Sequence, residues 1–235
     1  MDKQDEVIPG QARLSVVLVH GAFVDGSGWK AVYDRLSARG YEVLVVQHPT
    51  RSLGDDVACT ERIIRKAKYP VILVGHSYGG AIVTEAGALP QVRTVVYIAA
   101  FVPDAGESVA SLVENMAAEG AKAPVLPPQD GYMIVDPARF AGAFAADLGP
   151  GEARFMAAAQ LPWGMDAVTG TVRHCAWRSK PVHYMVAARD AMIPPAAQRT
   201  MASRAGATVA EVDCSHAAML VRPDEVAAFI ASAAA

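Results

Sequence analysis

Cysteine is scarce in this chain: three in 235 residues, at Cys59, Cys175 and Cys214, an odd number without CxxC spacing. That argues against a disulfide framework and a cysteine-built zinc site, and the expected setting is the reducing cytoplasm. Charge is also sparse, at 19% of residues, and neither sign dominates: 21 basic against 24 acidic residues give a formal net charge of −3. With no run of lysines or arginines, neither nucleic acid nor an anionic membrane surface is an expected partner. No apolar stretch approaches the length of a membrane span. The opening Met-Asp-Lys-Gln-Asp-Glu has no apolar h-region, so no signal peptide is expected. A GxGxxG fingerprint is missing, and no His, Cys and carboxylate cluster has ligand spacing, so neither an organic cofactor nor a metal is implied.

Hydrophobic residues, by contrast, make up 52% of the chain, enough for a sizeable core. Short β-branched runs recur at Val16–Val19, Val43–Val46, Val71–Val74, Thr94–Ile98, Val182–Val186 and Thr208–Val212. They are mostly continuous rather than alternating, as in parallel strands covered on both faces. Helical patterns separate them, over Trp29–Arg39, 53–68, Gly79–Ala88, from Pro194 and Pro195 onward, and over Pro223–Ala234. The expected fold is a single α/β domain over 1–235 with a doubly wound, mostly parallel sheet of about six strands. Between Phe101 and Pro181 the alternation stops and no strand is expected. Helices over 108–120, 136–148 and 151–160, punctuated by prolines, suggest a helical cap over residues 103–180, inserted after the fourth strand. Phe140, Phe144, Trp163 and Trp177 are expected mostly to fill the core of that cap. The terminal Ala-Ser-Ala-Ala-Ala is expected to fray.

The run Val71–Val74 ends on Gly75-His76-Ser77-Tyr78-Gly79, a match to G-x-S-x-G. Three fixed positions recur by chance in roughly one chain in ten of this length, so the context matters more than the pentapeptide. It lies between an expected strand and an expected helix, where a nucleophile elbow would hold Ser77 in a strained turn at a helix N-terminus. A serine needs a base, and in this architecture the acid and then the histidine follow the serine, each just after a later strand. Asp190 ends the Val182 strand pattern, and His216 follows the Thr208 pattern, giving the order Ser77, Asp190, His216. Asp104, after the fourth strand, and Asp213, before the histidine, remain alternative acids. The oxyanion hole is expected from the Tyr78 amide and from the turn His20–Trp29, with Ala22 as donor. His20 and His76 belong to these motifs as packing or hydrogen-bonding residues. His48, His174 and His183 have no evident partner, and Cys214 is expected as a small packed side chain.

"VLVHGAFVDGSGW", "VILVGHSYGG", "AAFVPDAGES", "ARDAMIPPAAQR" and "DCSHAAML" together resemble the α/β-hydrolase superfamily, over about Val16 to Ile230. The resemblance is to small bacterial esterase-like members related to plant methylesterases and hydroxynitrile lyases. It implies Ser77 as nucleophile, Asp190 as acid, His216 as base, and Ala22 and Tyr78 as oxyanion donors. Two departures bear on activity. Hydroxynitrile lyases of this group carry a threonine where this chain has Gly21, and a lysine directly after the histidine, where it has Ala217. The expected activity is therefore cleavage of a small neutral or apolar carboxylic ester. A lactonase, carbon–carbon bond hydrolase or perhydrolase on the same triad, and a non-catalytic ligand receptor, are the alternatives. The expected partner is a small-molecule substrate.

Overall fold

Six strands of the computed structural model, which describes residues 13–117 and 122–234, lie parallel in one sheet. The amino-terminal part alternates strand and helix: β1 (Ser15–Val19), α1 (Lys30–Ala38), β2 (Glu42–Val45), α2 (Leu53–Ile64), β3 (Val71–His76), α3 (Gly79–Ala86) and β4 (Val92–Ile98). An inserted segment follows, with α4 (Val109–Ala117), β5 (Tyr132–Met133), α5 (Phe140–Phe144), α6 (Pro150–Ala158), β6 (Trp163–Gly164) and α7 (Met165–Thr169). The chain then resumes the alternation with β7 (Val182–Ala187), α8 (Pro195–Arg204), β8 (Thr208–Val212), α9 (Ala218–Val221) and α10 (Pro223–Ser232). The strand order is β2-β1-β3-β4-β7-β8.

Side chains alternate across a strand, so a strand covered on both faces must be apolar at every position. Val16, Leu18, Ile72, Val74, Val96 and Ile98 face one layer, where Trp29, Leu36, Val226 and Ile230 meet them. Val17, Val19, Leu73, Val95 and Tyr97 face the other, against Val57, Ile64, Ile82, Val83 and Met201. All six expected strands form, each within a residue or two of its expected ends. Because every strand of this sheet runs the same way, Ser77, Asp190 and His216 all fall beyond carboxyl ends, on one edge.

The inserted segment departs from the expectation. The helices expected over 136–148 and 151–160 are shorter, at Phe140–Phe144 and Pro150–Ala158, while that expected over 108–120 begins at Val109 and its residues 118–120 lie outside the described residues. Two strands occur where none was expected: Tyr132 pairs with Gly164 and Met133 with Trp163, antiparallel. Each strand is two residues long and its partner lies some thirty residues away, so no local periodicity announces it. Of the tail expected to fray, Ala231 and Ser232 lie in α10 and Ala233 is buried, while Ala235 lies outside the described residues. Among the described residues no helix is long and apolar enough to cross a membrane.

Candidate active site

Ser77 directly follows β3 and sits at φ 54°, a left-handed conformation that costs a residue with a side chain about 1–3 kcal/mol. Surrounding hydrogen bonds hold it there: its N–H donates to the Ile98 carbonyl (3.3 Å), and its own carbonyl accepts from Gly80 N–H (2.9 Å) and Phe101 N–H (3.1 Å). The strain falls on the serine itself, not on the flanking glycines, neither of which has a positive φ. Gly75 and Gly79 are needed for close approach. A Cβ at Gly75 would lie 2.6 Å from the Gly79 carbonyl oxygen, and one at Gly79 2.6 Å from that of His20. Without side chains there, α3 starts directly against β3 and the turn after β1.

His216 and Asp190 are both buried, and His216 Nδ1 lies 2.6 Å from Asp190 Oδ2. Asp190 Oδ2 also accepts from Gln198 Nε2 (2.7 Å), and Oδ1 accepts from the N–H groups of Met192 (2.7 Å) and Ile193 (2.9 Å). With the three other neighbours all donors, the carboxylate acts as acceptor throughout, so His216 Nδ1 carries the proton and donates it. In the neutral ring Nε2 is then a lone pair. It is buried and has no hydrogen-bond partner among the described residues. Gln198, absent from the sequence reading, is fixed in turn: it accepts from Ala187 N–H (3.1 Å) and donates to the Ile193 carbonyl (2.8 Å).

The alternative acids are otherwise engaged. Asp104 pairs with Arg178 at 2.5 Å, which brings its carboxyl down to about 2. Asp213 is largely exposed and pairs with Arg189 at 2.6 Å. His76 is no rival base: burial and the nearby His216 hold it well below the ordinary histidine value, and its Nε2 donates to the His216 carbonyl (3.0 Å). Cys214 is fully buried, and burial pushes its thiol up to about 12. It sits as a small packed side chain in the core.

Ala22 and Tyr78 are buried, and among the described residues neither backbone N–H has a protein acceptor. Two unpaired, buried donors are one requirement of an oxyanion hole. Behind them lies a polar cluster that no spacing disclosed. The rings of His20 and His48 stack at 3.7 Å, and His48 Nε2 donates to the His20 carbonyl (3.0 Å). His48 Nδ1 faces Asp56 Oδ1 at 3.5 Å, and Asp56 Oδ2 accepts from the Tyr78 hydroxyl at 2.7 Å. Burial, chiefly, and the neighbouring His48 bring His20 down to about 3, so its ring is neutral. It contacts the Gly21 carbonyl through Nδ1 at 2.9 Å, holding the turn that carries Ala22. His174 is exposed, and His183 meets the Phe229 ring edge to face. Among the described residues no group of three or more His, Cys, Asp or Glu side chains could hold a metal ion.

A strained serine after β3, followed in chain order by Asp190 and His216 beyond β7 and β8, is the arrangement of one fold family. The chain belongs to the alpha/beta hydrolase family, whose model matches residues 16–229. Among characterised sequences it is 32% identical over 114 residues to a carbendazim-hydrolysing esterase of Nocardioides sp. (strain SG-4G), a match spanning 41% of this chain and 46% of that protein. It is 24% identical over 242 residues to the alpha/beta hydrolase nvfD of Aspergillus novofumigatus, covering 94% and 96% of the two chains. Among solved structures, a pyrethroid hydrolase from Sphingobium faniae JZ-2 superposes with a TM-score of 0.79 at 22% identity, over 94% of this chain and 97% of that one. Polyneuridine aldehyde esterase matches with a TM-score of 0.79 at 18% identity, over 94% and 99%.

Proposed function

We propose that this protein is a serine hydrolase that cleaves a small neutral or apolar carboxylic ester through an acyl-enzyme. The observation that carries the reading is the buried Asp190–His216 pair with Nε2 left unpartnered, on the same edge of the sheet as a strand-end serine held at positive φ. His216 Nε2 takes the Ser77 proton as the hydroxyl attacks the ester carbonyl, and the amides of Ala22 and Tyr78 receive the oxyanion. Asp190 keeps Nδ1 protonated and stabilises the imidazolium that forms. His216 then protonates the leaving alcohol, and water is activated by the same nitrogen to release the acid. Residues 103–180 act as a cap over this edge of the sheet. The esterase and hydrolase relatives support ester chemistry.

Cyanohydrin cleavage fits the chain poorly. A Cβ at Gly21 would lie 2.7 Å from Ser77 Cβ, so a threonine there would crowd the nucleophile. Ala217 is fully buried, so the position directly after His216 offers no cation to a departing cyanide.

A panel of p-nitrophenyl esters, thioesters and lactones, with Ser77→Ala as blank, tests the assignment. The wild-type protein is expected to turn over short esters and to be labelled at Ser77 by a fluorophosphonate, and Ser77→Ala is expected to do neither. Undiminished turnover by Ser77→Ala would overturn the reading, and a single slow turnover by the wild type would favour a receptor. Asp190→Asn is expected to lower kcat by about 10⁴-fold through the wrong imidazole tautomer, with Asp104→Asn near wild type. The opposite ranking would reassign the acid.

A further inference from the structure

The backbone on both sides of His216 is held from outside the sheet, by the inserted segment. Ser215 N–H donates to Asp147 Oδ2 at 2.5 Å, and Ala217 N–H donates to the Phe144 carbonyl at 3.1 Å. The Phe144 ring meets the His216 ring edge to face, with centroids 4.8 Å apart. From the sheet side, His76 Nε2 holds the His216 carbonyl. Asp147 does more than seat the histidine loop. Its other oxygen, Oδ1, lies 3.0 Å from Arg189 Nη1, and Arg189 immediately precedes Asp190. One half-buried carboxylate therefore bridges the loop after β7, which carries the acid, and the loop after β8, which carries the base.

That bridge matters because the two loops come from separate strands, and the His216–Asp190 hydrogen bond is the contact whose geometry decides the chemistry. Arg189 reinforces the link by pairing with Asp213 at 2.6 Å and by donating its backbone N–H to the Cys214 carbonyl at 3.0 Å. Burial alone would raise the Asp147 carboxyl, but the Ser215 amide and the Arg189 guanidinium outweigh it and hold the group below its ordinary value. It is thus the ionised form that these donors stabilise.

We propose that Asp147 is a positioning residue through which the inserted segment sets the placement of His216 relative to Asp190 and Ser77. The inference rests on the triad reading above. It makes the seating of that segment a condition of turnover, in addition to any part it has in enclosing substrate. A base misplaced by an ångström costs on the order of 100-fold in rate while leaving substrate contacts in place.

The test is a comparison of Asp147→Ala, Asp147→Asn and Arg189→Met on a p-nitrophenyl ester. Asp147→Ala is expected to lower kcat by about 10- to 100-fold with KM within about threefold. Fluorophosphonate labelling of Ser77 is expected to slow in proportion. Asn keeps an acceptor for Ser215 N–H but loses the ion pair, so Asp147→Asn is expected to recover part of the loss and to match Arg189→Met. The downfield proton resonance of His216 Nδ1, read by NMR, is expected to broaden or shift in Asp147→Ala and to return toward wild type in Asp147→Asn. Wild-type kcat in a folded Asp147→Ala protein would overturn the proposal. So would an Asp147→Asn protein as impaired as Asp147→Ala with the resonance unmoved in both. Should Asp147→Ala fail to fold, the Asn and Arg189→Met proteins carry the test alone, and wild-type kcat in both overturns it. Turnover surviving in Ser77→Ala marks failure of the triad reading, whereas an inactive Ser77→Ala beside a fully active Asp147→Ala marks failure of this proposal only.

Discussion

Tyr78 has two separate tasks at the scale of the residue. Its backbone N–H is a candidate oxyanion donor, while its side chain points away into the protein and anchors on Asp56. The hydroxyl is the hydrogen-bond donor that Asp56 receives, since Asp56 Oδ1 has only His48 Nδ1 facing it at 3.5 Å. Burial first, and the adjacent Asp56, push the Tyr78 phenol well above its ordinary value, so it stays protonated and donates. Tyr78→Phe deletes that donor and leaves a fully buried carboxyl oxygen without its bond, at a cost of about 1–3 kcal/mol or more. Asp56→Asn still offers an oxygen to the phenol and an N–H₂ to His48 Nδ1. It is expected to unfold nearer to wild type in urea than Tyr78→Phe does. If Tyr78→Phe matched wild type in both urea midpoint and kcat, the cluster would have no role in holding the oxyanion turn.

Elements differ in how far the sequence discloses them, and the reason is the range over which each is specified. The central strands of the large sheet are legible because burial on both faces writes an unbroken apolar run into the strand itself, as at Val71–Val74. The elbow is legible because the requirement for glycine beside Ser77 is local. Asp190 and His216 are legible because chain order and strand ends locate them. Gln198, Asp147 and the His48–Asp56 pair are not, because each owes its role to a partner from another element: Asp147 meets Ser215 across 68 positions of sequence. The two-residue strands β5 and β6 are hidden for the same reason. The start of α3 shows what such a close approach means in energy. Gly79→Ala would place a Cβ 2.6 Å from the His20 carbonyl oxygen, so either α3 or the turn bearing Ala22 must move. Overpacking of this kind costs about 1–3 kcal/mol, and a drop in kcat should accompany it because Ser77 and Ala22 are both adjacent. A Gly79→Ala protein with unchanged melting temperature and kcat would show that the close approach is slack.

The whole molecule joins its inserted segment to the sheet through charged contacts as well as apolar ones. Asp104, where the chain enters the segment, pairs with Arg178, where it returns. Glu107 pairs with Arg204 of α8, and Asp147 with Arg189. All three carboxyls lie below their ordinary values. Asp104 is held down to about 2 chiefly by Arg178; for Glu107 and Asp147 burial opposes the shift, but Arg204 and the Ser215 and Arg189 donors prevail. A carboxyl lowered in the folded state binds fewer protons there than when released, so these contacts contribute fully above about pH 5. They weaken as the pH falls through each lowered value, Asp104 persisting to about 2. The central strands β3 and β4 are held by burial on both faces and contain no carboxyl side chain, so they have no comparable dependence. Acidification from pH 5 to below 2 should therefore loosen the segment before the strands. Hydrogen exchange, corrected for the intrinsic effect of pH, is expected to lose protection in peptides from 122–180 first and in β3 and β4 later. In Asp104→Asn the part of this loss nearest pH 2 should be absent, because the group that titrates there is gone. Loss of protection in all peptides at one midpoint would show instead that segment and sheet melt as a single unit, with the ion pairs contributing nothing separable.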